Sequence, residues 1–447
     1  MQTAPEIGQL LGDVEGSDLV ADPDSPAAAN VREIRRAYDR AAKIPQRLVE
    51  ELARVTIAAQ QAWDRAKKAD DFPAFLPWLE RVVALKREEA QAVGYKDHAY
   101  DALLDEYEPG ATTAGIRTVF ADLAKELVPL IAAIRDSGRR PQREVLRGEF
   151  PVDRQEAFGR AAAEAIGFDF TAGRLDVTSH PFCSGIGPGD CRITTRYNPH
   201  FFNEAFFGIL HEAGHGIYEQ GLDPEHFGTP LGSAASLGIH ESQSRLWENQ
   251  VGRSRPFWEH YFPKARETFP GPLSDVSPDE FYFAVNEVTP SYIRVEADEA
   301  TYNLHIILRF ELEQGLVTGD LKPADVPGAW DDRFEQLLGL RPPSAKLGCL
   351  QDIHWSMGGI GYFPTYTLGN LYAAQLMAAA RRDLGDLDAD FRRGEFGRVK
   401  DWLNANVHRH GQRYRPEELC RRVTGSPPSH RPLVEYLKAK YEPLYLR

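Results

Sequence analysis

The sequence predicts a mainly α-helical protein with one small β-sheet. Three observations carry this prediction. Apolar residues recur at helical spacing over most of the chain, and one stretch, Leu175 to Tyr197, has β texture. In addition, neither a repeat period nor a long Gly/Ser linker divides the 447 residues. This texture suits a single helical body in two lobes about a cleft.

Residues 1–30 are rich in Gly, Asp, Pro and Ala, including Asp22-Pro23-Asp24-Ser25-Pro26, and are expected to form a loose lead-in. One domain is expected over residues 31–447. Its first part, residues 31–170, carries helices. Ile34, Ala37, Tyr38 and Ala41 follow i, i+3, i+4, i+7 spacing, and Leu48, Leu52 and Val55 continue it after Pro45. Breaks at Pro73 and Pro77 precede a helix marked by Trp78, Leu79, Val82, Val83 and Leu85. Pro109-Gly110 precedes another, marked by Val119, Leu123, Leu127, Leu130 and Ile131. Residues 171–200 hold the β element, with Leu175–Thr178 and Arg192–Tyr197 flanking a Gly/Pro-rich stretch. Residues 201–447 return to helical texture, broken at Pro270-Gly271, Pro327-Gly328 and Pro342-Pro343.

The chain carries 52 Lys+Arg and 66 Asp+Glu, a formal charge of −14. That balance argues against non-specific nucleic-acid binding and against anionic membrane surfaces, both of which need clustered cations. The chain contains no run of apolar residues long enough to cross a membrane, and Met1–Glu6 does not look like a signal peptide. Four cysteines are sparse usage, as in a reducing cytoplasm, so a cytoplasmic protein is expected. Cys183 and Cys191 are not at C-x-x-C spacing and read as core thiols.

Seven of the 13 histidines fall between His180 and His260. At their centre is His211-Glu212-Ala213-Gly214-His215, inside a stretch of helical apolar spacing. Histidines at i and i+4 on one helix face can share one metal ion, and a glutamate between them can reach a water on that ion. A catalytic zinc site needs a third protein ligand and keeps one position open. A third histidine six residues on is absent, because Gly221 stands there. The downstream candidates are Glu219, Glu225, Glu241 and Glu248. Glu241 is favoured because the Pro230/Gly232 break places it on a separate helix.

Several motifs in order resemble the M32 metallocarboxypeptidases, the carboxypeptidase Taq family. They are His180-Pro181-Phe182, Asp190-Cys191-Arg192-Ile193-Thr194, the H-E-x-x-H, His240-Glu241-Ser242-Gln243, Ile293-Arg294-Val295-Glu296-Ala297-Asp298 and Gly348–Trp355. Tyr100–Gly110 and Gly361–Tyr366 are also similar to that family. The resemblance implies a zincin-type helical body around a deep groove, with the small sheet beside the active-site helix. It implies a homodimer that uses Zn2+ or Co2+, one per chain, to release single C-terminal residues from peptides. His211, His215 and Glu241 would be the metal ligands and Glu212 the general base and acid. Members carry further helices ahead of the stretch that begins here near Ile34, so the expectation is that either part of a lid over the groove is missing or the start of the chain is misassigned.

An oxyanion needs a donor besides the metal, and Tyr366 or His354 is expected to supply it. Capture of a free carboxylate favours a bidentate arginine, and Arg294 is the first candidate; its alternative is an ion pair with Glu296 or Asp298. Arg192 is expected to pair with Asp190 or Asp352. His180 is expected to shape a cleft wall, and His240 to orient a ligand from behind. His98, His226, His305, His408, His410 and His430 read as surface or packing residues. An endo-oligopeptidase or dipeptidyl carboxypeptidase of similar fold is the alternative function, and an inactive peptide-binding protein the remote one.

Overall fold

Short polar side chains set where many of the helices begin. Ser25 Oγ accepts from Ala28 N–H at 3.1 Å, Asp71 Oδ1 from Ala74 N–H at 3.1 Å and Ser236 Oγ from Ile239 N–H at 3.0 Å. The computed structural model describes residues 3–446. In chain order its helices start with α1 (Pro5–Glu15), α2 (Pro26–Lys43), α3 (Gln46–Ala69), α4 (Phe72–Val93), α5 (Ala99–Leu104), α6 (Thr113–Asp136) and α7 (Val152–Ile166). Three strands follow, β1 (Arg174–Val177), β2 (Cys183–Gly185) and β3 (Cys191–Thr195). Next come α8 (Phe202–Gly221) and α9 (Leu237–Arg245), which runs directly into a π-helix, Leu246–Val251. The remainder is α10 (Arg255–Thr268), α11 (Pro270–Leu273), α12 (Pro278–Val285), α13 (Tyr302–Thr318), α14 (Val326–Leu338), α15 (Pro364–Leu384), α16 (Leu387–Arg393), α17 (Gly397–Asn406), α18 (Pro416–Thr424) and α19 (Arg431–Tyr445). The protein is thus mainly α with one small sheet. Among the described residues no helix is long and apolar enough to cross a membrane.

Two expectations are revised. The lead-in expected to be loose is largely helical: α1 packs against α2, and Arg35 on α2 donates to Glu15 Oε1 at 2.8 Å and Oε2 at 3.0 Å. Its Gly/Asp/Pro signal marks only the turn between the two helices, where Ser25 caps α2. Likewise Pro73 lies in the first turn of α4 and Pro77 inside it, so neither is a break. A proline near a helix start costs little because the early N–H groups have no partner anyway.

The chain forms two compact units, each discontinuous in sequence. The first joins residues up to Ala133 with Val288–Thr367, and the second joins Ile134–Glu287 with residues from Leu368 onward. The sequence-order blocks 31–170 and 201–447 therefore do not coincide with the units. In the first, α3 and α4 pack through Leu48, Val55, Ala59, Val82 and Leu85. In the second, the sheet has order β1-β3-β2, with β1 parallel and β2 antiparallel to the central β3.

Helix α8 packs on β3, β2, α7 and α9. Two glycines permit this. A Cβ on Gly216 would stand 2.4 Å from Phe168 Cε2 and 3.3 Å from Ile193 Cγ2 of β3; one on Gly214 would stand 2.6 Å from Gln243 O and 2.7 Å from Ser244 Cα of α9. The Gly214 contact is with backbone, which cannot swing aside. Gly214→Ala is therefore expected to cost about 1–3 kcal/mol through overpacking, read as a lower Tm. Gly208→Ala, on the same helix, would meet only Thr195 Oγ1 at 3.5 Å and should leave Tm unchanged or raise it.

Candidate metal centre

The i, i+4 spacing on α8 sets His211 and His215 side by side, their ring centroids 4.9 Å apart. Helix α9 brings Glu241 to them. Its Oε2 lies 3.8 Å from His211 Nε2 and 3.5 Å from His215 Nε2. One ligand atom from each of the three residues lies within 4.8 Å of the others, a spacing that one metal ion can bridge.

The far side of each histidine is held. His211 Nδ1 donates to Glu248 Oε2 at 2.9 Å and His215 Nδ1 to the carbonyl of His240 at 3.1 Å. Both acceptors fix the tautomer that leaves an Nε2 lone pair toward Glu241. The His240 ring stacks on His215 at 4.4 Å, and its Nε2 donates to Glu219 Oε1 at 2.8 Å. Arg245 donates through Nε to Glu241 Oε1 at 2.7 Å and through Nη1 to Glu248 Oε2 at 3.3 Å. Arg253 Nη2 donates to Glu248 Oε1 at 3.3 Å.

Burial opposes charge on Glu241, yet Arg245 and the two imidazoles hold its carboxyl well below the usual carboxylate range. Burial also opposes charge on Glu248, but Arg245, His211 and Arg253 hold it at about 2. Burial pushes His215 down to about 3, with His240 adding to the effect. Glu212 is 6% exposed, and burial pushes its carboxyl up to about 7.

The remaining predicted residues lie on other elements. Arg192 donates to its neighbour Asp190, both contacts at 3.2 Å, on the exposed end of β3. His180 is exposed in the loop between β1 and β2. In the first unit Arg294 is 5% exposed and donates through Nε (3.0 Å) and Nη2 (2.8 Å) to Asp352 Oδ1, and through Nη1 (2.8 Å) to Tyr302. Its ion-pair partner is therefore Asp352, not Glu296 or Asp298. Arg309 Nε donates to the other Asp352 oxygen at 2.6 Å. The guanidinium of Arg294 lies 5.0 Å from the Tyr366 ring, and His354 Nε2 is 3.3 Å from the Tyr366 hydroxyl. Burial pushes His354 down to about 4.

Sequence reasoning missed Arg245, although its i, i+4 spacing from Glu241 was a usable signal. It weighed Glu248 and Glu219 only as ligands, and each instead holds a histidine. His408, expected as surface or packing, is fully buried, with hydrogen bonds to Gln243 (2.8 Å) and Asn404 (2.6 Å). No local sequence signal linked it to α9.

The carboxypeptidase Taq (M32) metallopeptidase family model matches residues 1–441. "Thermostable carboxypeptidase 1" of Thermus thermophilus is 52% identical over 452 aligned positions, covering 99% of this chain and 88% of that protein. "Carboxypeptidase 1" of Bacillus subtilis is 42% identical, covering 92% of this chain and 82% of that protein. The crystal structure of an M32 carboxypeptidase from Deinococcus radiodurans R1 superposes with a TM-score of 0.96 at 43% identity, covering 100% of this chain and 89% of that one. The chain belongs to the M32 metallopeptidase family.

Asp352 contributes to stability independently of any metal. Burial opposes its charge, but Arg294 and Arg309 hold its carboxyl far below the usual range. A depressed carboxylate adds stability that is complete above its unfolded pKa near 3.8 and is withdrawn as pH falls below it. Asp352→Asn leaves two buried guanidiniums without a countercharge. It should cost about 3–5 kcal/mol at neutral pH and flatten the acid limb of the stability–pH curve, both measured by denaturant unfolding.

Proposed function

We propose that this metallocarboxypeptidase releases single residues from the free C-termini of peptides, with His211, His215 and Glu241 holding one divalent ion and Glu212 moving the proton. The observation that carries the assignment is the convergence of two Nε2 atoms and one carboxylate oxygen from two helices. Two neutral imidazoles and a carboxylate suit zinc, and by the same donor chemistry cobalt. Once bound, the ion supplies Lewis acidity to water and to the scissile carbonyl. Glu212, buried and with its carboxyl near 7, is suited to take a proton from the attacking water and return it to the leaving amine.

Selectivity for a free terminus is assigned to the Arg294 cluster. Two guanidiniums, Arg294 and Arg309, share one carboxylate, Asp352, so the group keeps one positive charge in excess. An anionic C-terminus suits that excess. Tyr366 and His354, beside Arg294, are the proposed donors to substrate oxygen, and exposed His180 a contact for bound peptide. His240 holds His215 through its carbonyl, and the Asp190–Arg192 pair is structural. The protein is proposed to act on peptides in the cytoplasm, in keeping with its few cysteines, and as a homodimer, as its family membership implies.

The direct test compares one peptide with a free and an amidated C-terminus, using protein reloaded with zinc or cobalt and mass analysis of products. Loss of one residue from the free peptide alone, abolished by a chelator, is expected. Cleavage of the amidated peptide would favour the endopeptidase reading, and metal binding without any cleavage the inactive binder.

Two variants separate the roles. Glu212→Gln should lower kcat by about 100–10,000-fold with metal content unchanged. Arg245→Met, by releasing Glu241 Oε1 and weakening the Glu248–His211 hold, should loosen metal binding by about 10–100-fold in a chelator competition, with Arg245→Lys intermediate.

A further inference from the structure

Cys183 and Cys191 stand in the small sheet as a pair of oxidisable side chains, outside the metal centre. β2 and β3 pair with Gly185 opposite Cys191 and Cys183 opposite Ile193, so the two cysteines are diagonal neighbours on one face. Their sulfurs lie 3.3 Å apart, one thiol donating to the other. Cys191 is buried, whereas Cys183 is partly exposed on the edge strand. The other two cysteines, Cys349 and Cys420, are both buried.

We propose that Cys183 and Cys191 form an oxidation site, closing to a cross-strand disulfide with a small disulfide as oxidant, and that closure acts on the metal centre through β2.

The chemistry is thiol–disulfide exchange. Cys183, the less buried of the two, loses its proton and attacks the small disulfide R–S–S–R, which releases one R–S⁻. Cys191 then loses its proton and attacks Cys183 Sγ in the mixed disulfide. The Sγ–Sγ bond forms and the second R–S⁻ leaves. Two protein thiols are oxidised by two electrons, one small disulfide is reduced, and the two protons pass to the released thiolates. The second step is intramolecular between sulfurs already in contact, which gives it a high effective concentration. The first step is slow at neutral pH. The hydrogen bond to Cys191 pushes the Cys183 thiol up, and burial and the carboxylates of Glu212 and Glu219 add to this.

A disulfide needs its sulfurs at about 2.05 Å, so closure draws β2 and β3 together at this point. β2 is the strand with freedom to move. It is an edge strand, and a cavity of about 280 Å³ lined by Gly185, Glu219, Asp223 and Phe227 adjoins it. Its movement bears on Glu219, because a Cβ on Gly185 would stand only 2.7 Å from Glu219 Oε2. Glu219 holds His240 at 2.8 Å, and the His240 ring stacks on His215. A continuous set of contacts therefore runs from the thiol pair to one proposed metal ligand.

The test is a titration of the metal-loaded, full-length protein with oxidised glutathione, read by intact mass and by peptidase rate. Expected are a loss of about 2 Da in the wild type, a stable glutathione adduct in Cys191→Ser, and neither in Cys183→Ser. The peptidase rate of the wild type should fall several-fold on closure and return with a reductant. Cys183→Ser should keep its basal rate and lose the response. Either of two results overturns the proposal: no loss of mass in the wild type when Cys191→Ser forms no adduct, or closure with an unchanged rate. The mass readout is independent of the catalytic assignment. Should the reloaded protein cleave no peptide, chelator competition replaces the rate, and an unchanged metal affinity after closure counts against the proposal.

Discussion

A carboxylate that is only 7% exposed keeps its charge only where cations meet it, and Glu241 is such a carboxylate. Arg245 takes one of its oxygens, which leaves the other facing the two imidazoles. The same guanidinium reaches Glu248, and Arg253 completes that pair from further along the chain. Residues 241, 245 and 248 lie on one helical face. Just beyond Arg245 the helix passes into the π form, which is the stretch that carries Glu248 to His211. One run of 13 residues, Glu241 to Arg253, thus supplies a proposed ligand, the anchor of a second and the charges that balance both.

The facing helix contributes by what it omits. Gly214 and Gly216 leave α8 bare where α9 and the sheet come closest, so its histidines approach Glu241 without intervening side-chain volume. Gly369 does the same from α15, where a Cβ would stand 2.5 Å from Glu241 Cγ. Close backbone packing then substitutes for side-chain packing. The geometry of the proposed ligands follows from main-chain positions, which are stiffer than rotamers.

The parts of the site legible in the sequence were those set by local periodicity. His211, Glu212 and His215 follow from i, i+4 spacing within one apolar helix, and the proline and glycine break pointed to Glu241 on another. What was not legible depends on which residues the fold brings together across long separations. Asp352 lies 58 residues from Arg294, and nothing near either names the other; the local alternatives Glu296 and Asp298 were the natural candidates. His408 meets Gln243 across 165 residues. The helical lead-in was hidden for a different reason: its Gly, Asp and Pro residues describe a real turn, and composition averaged over 30 residues blurred that turn into the helices flanking it.

Three glutamates of similar depth show how the site divides its chemistry. Glu241 and Glu248 touch guanidiniums and are held strongly acidic, whereas Glu212, on the facing helix with no arginine against it, is pushed up to about 7. Burial acts on all three in the same direction, so the difference comes from the neighbours. Arginines and imidazoles lower Glu241 and Glu248, whereas at Glu212 the imidazoles of His211 and His240 only partly offset burial and the nearby carboxylates. A permanently ionised carboxylate makes a good ligand or anchor and a poor proton carrier; one that titrates near neutrality is the reverse. The arginines of residues 241–253 therefore do more than stabilise the fold. By lying against Glu241 and Glu248 and not against Glu212, they leave Glu212, the proposed general base, as the one of the three that titrates near neutrality.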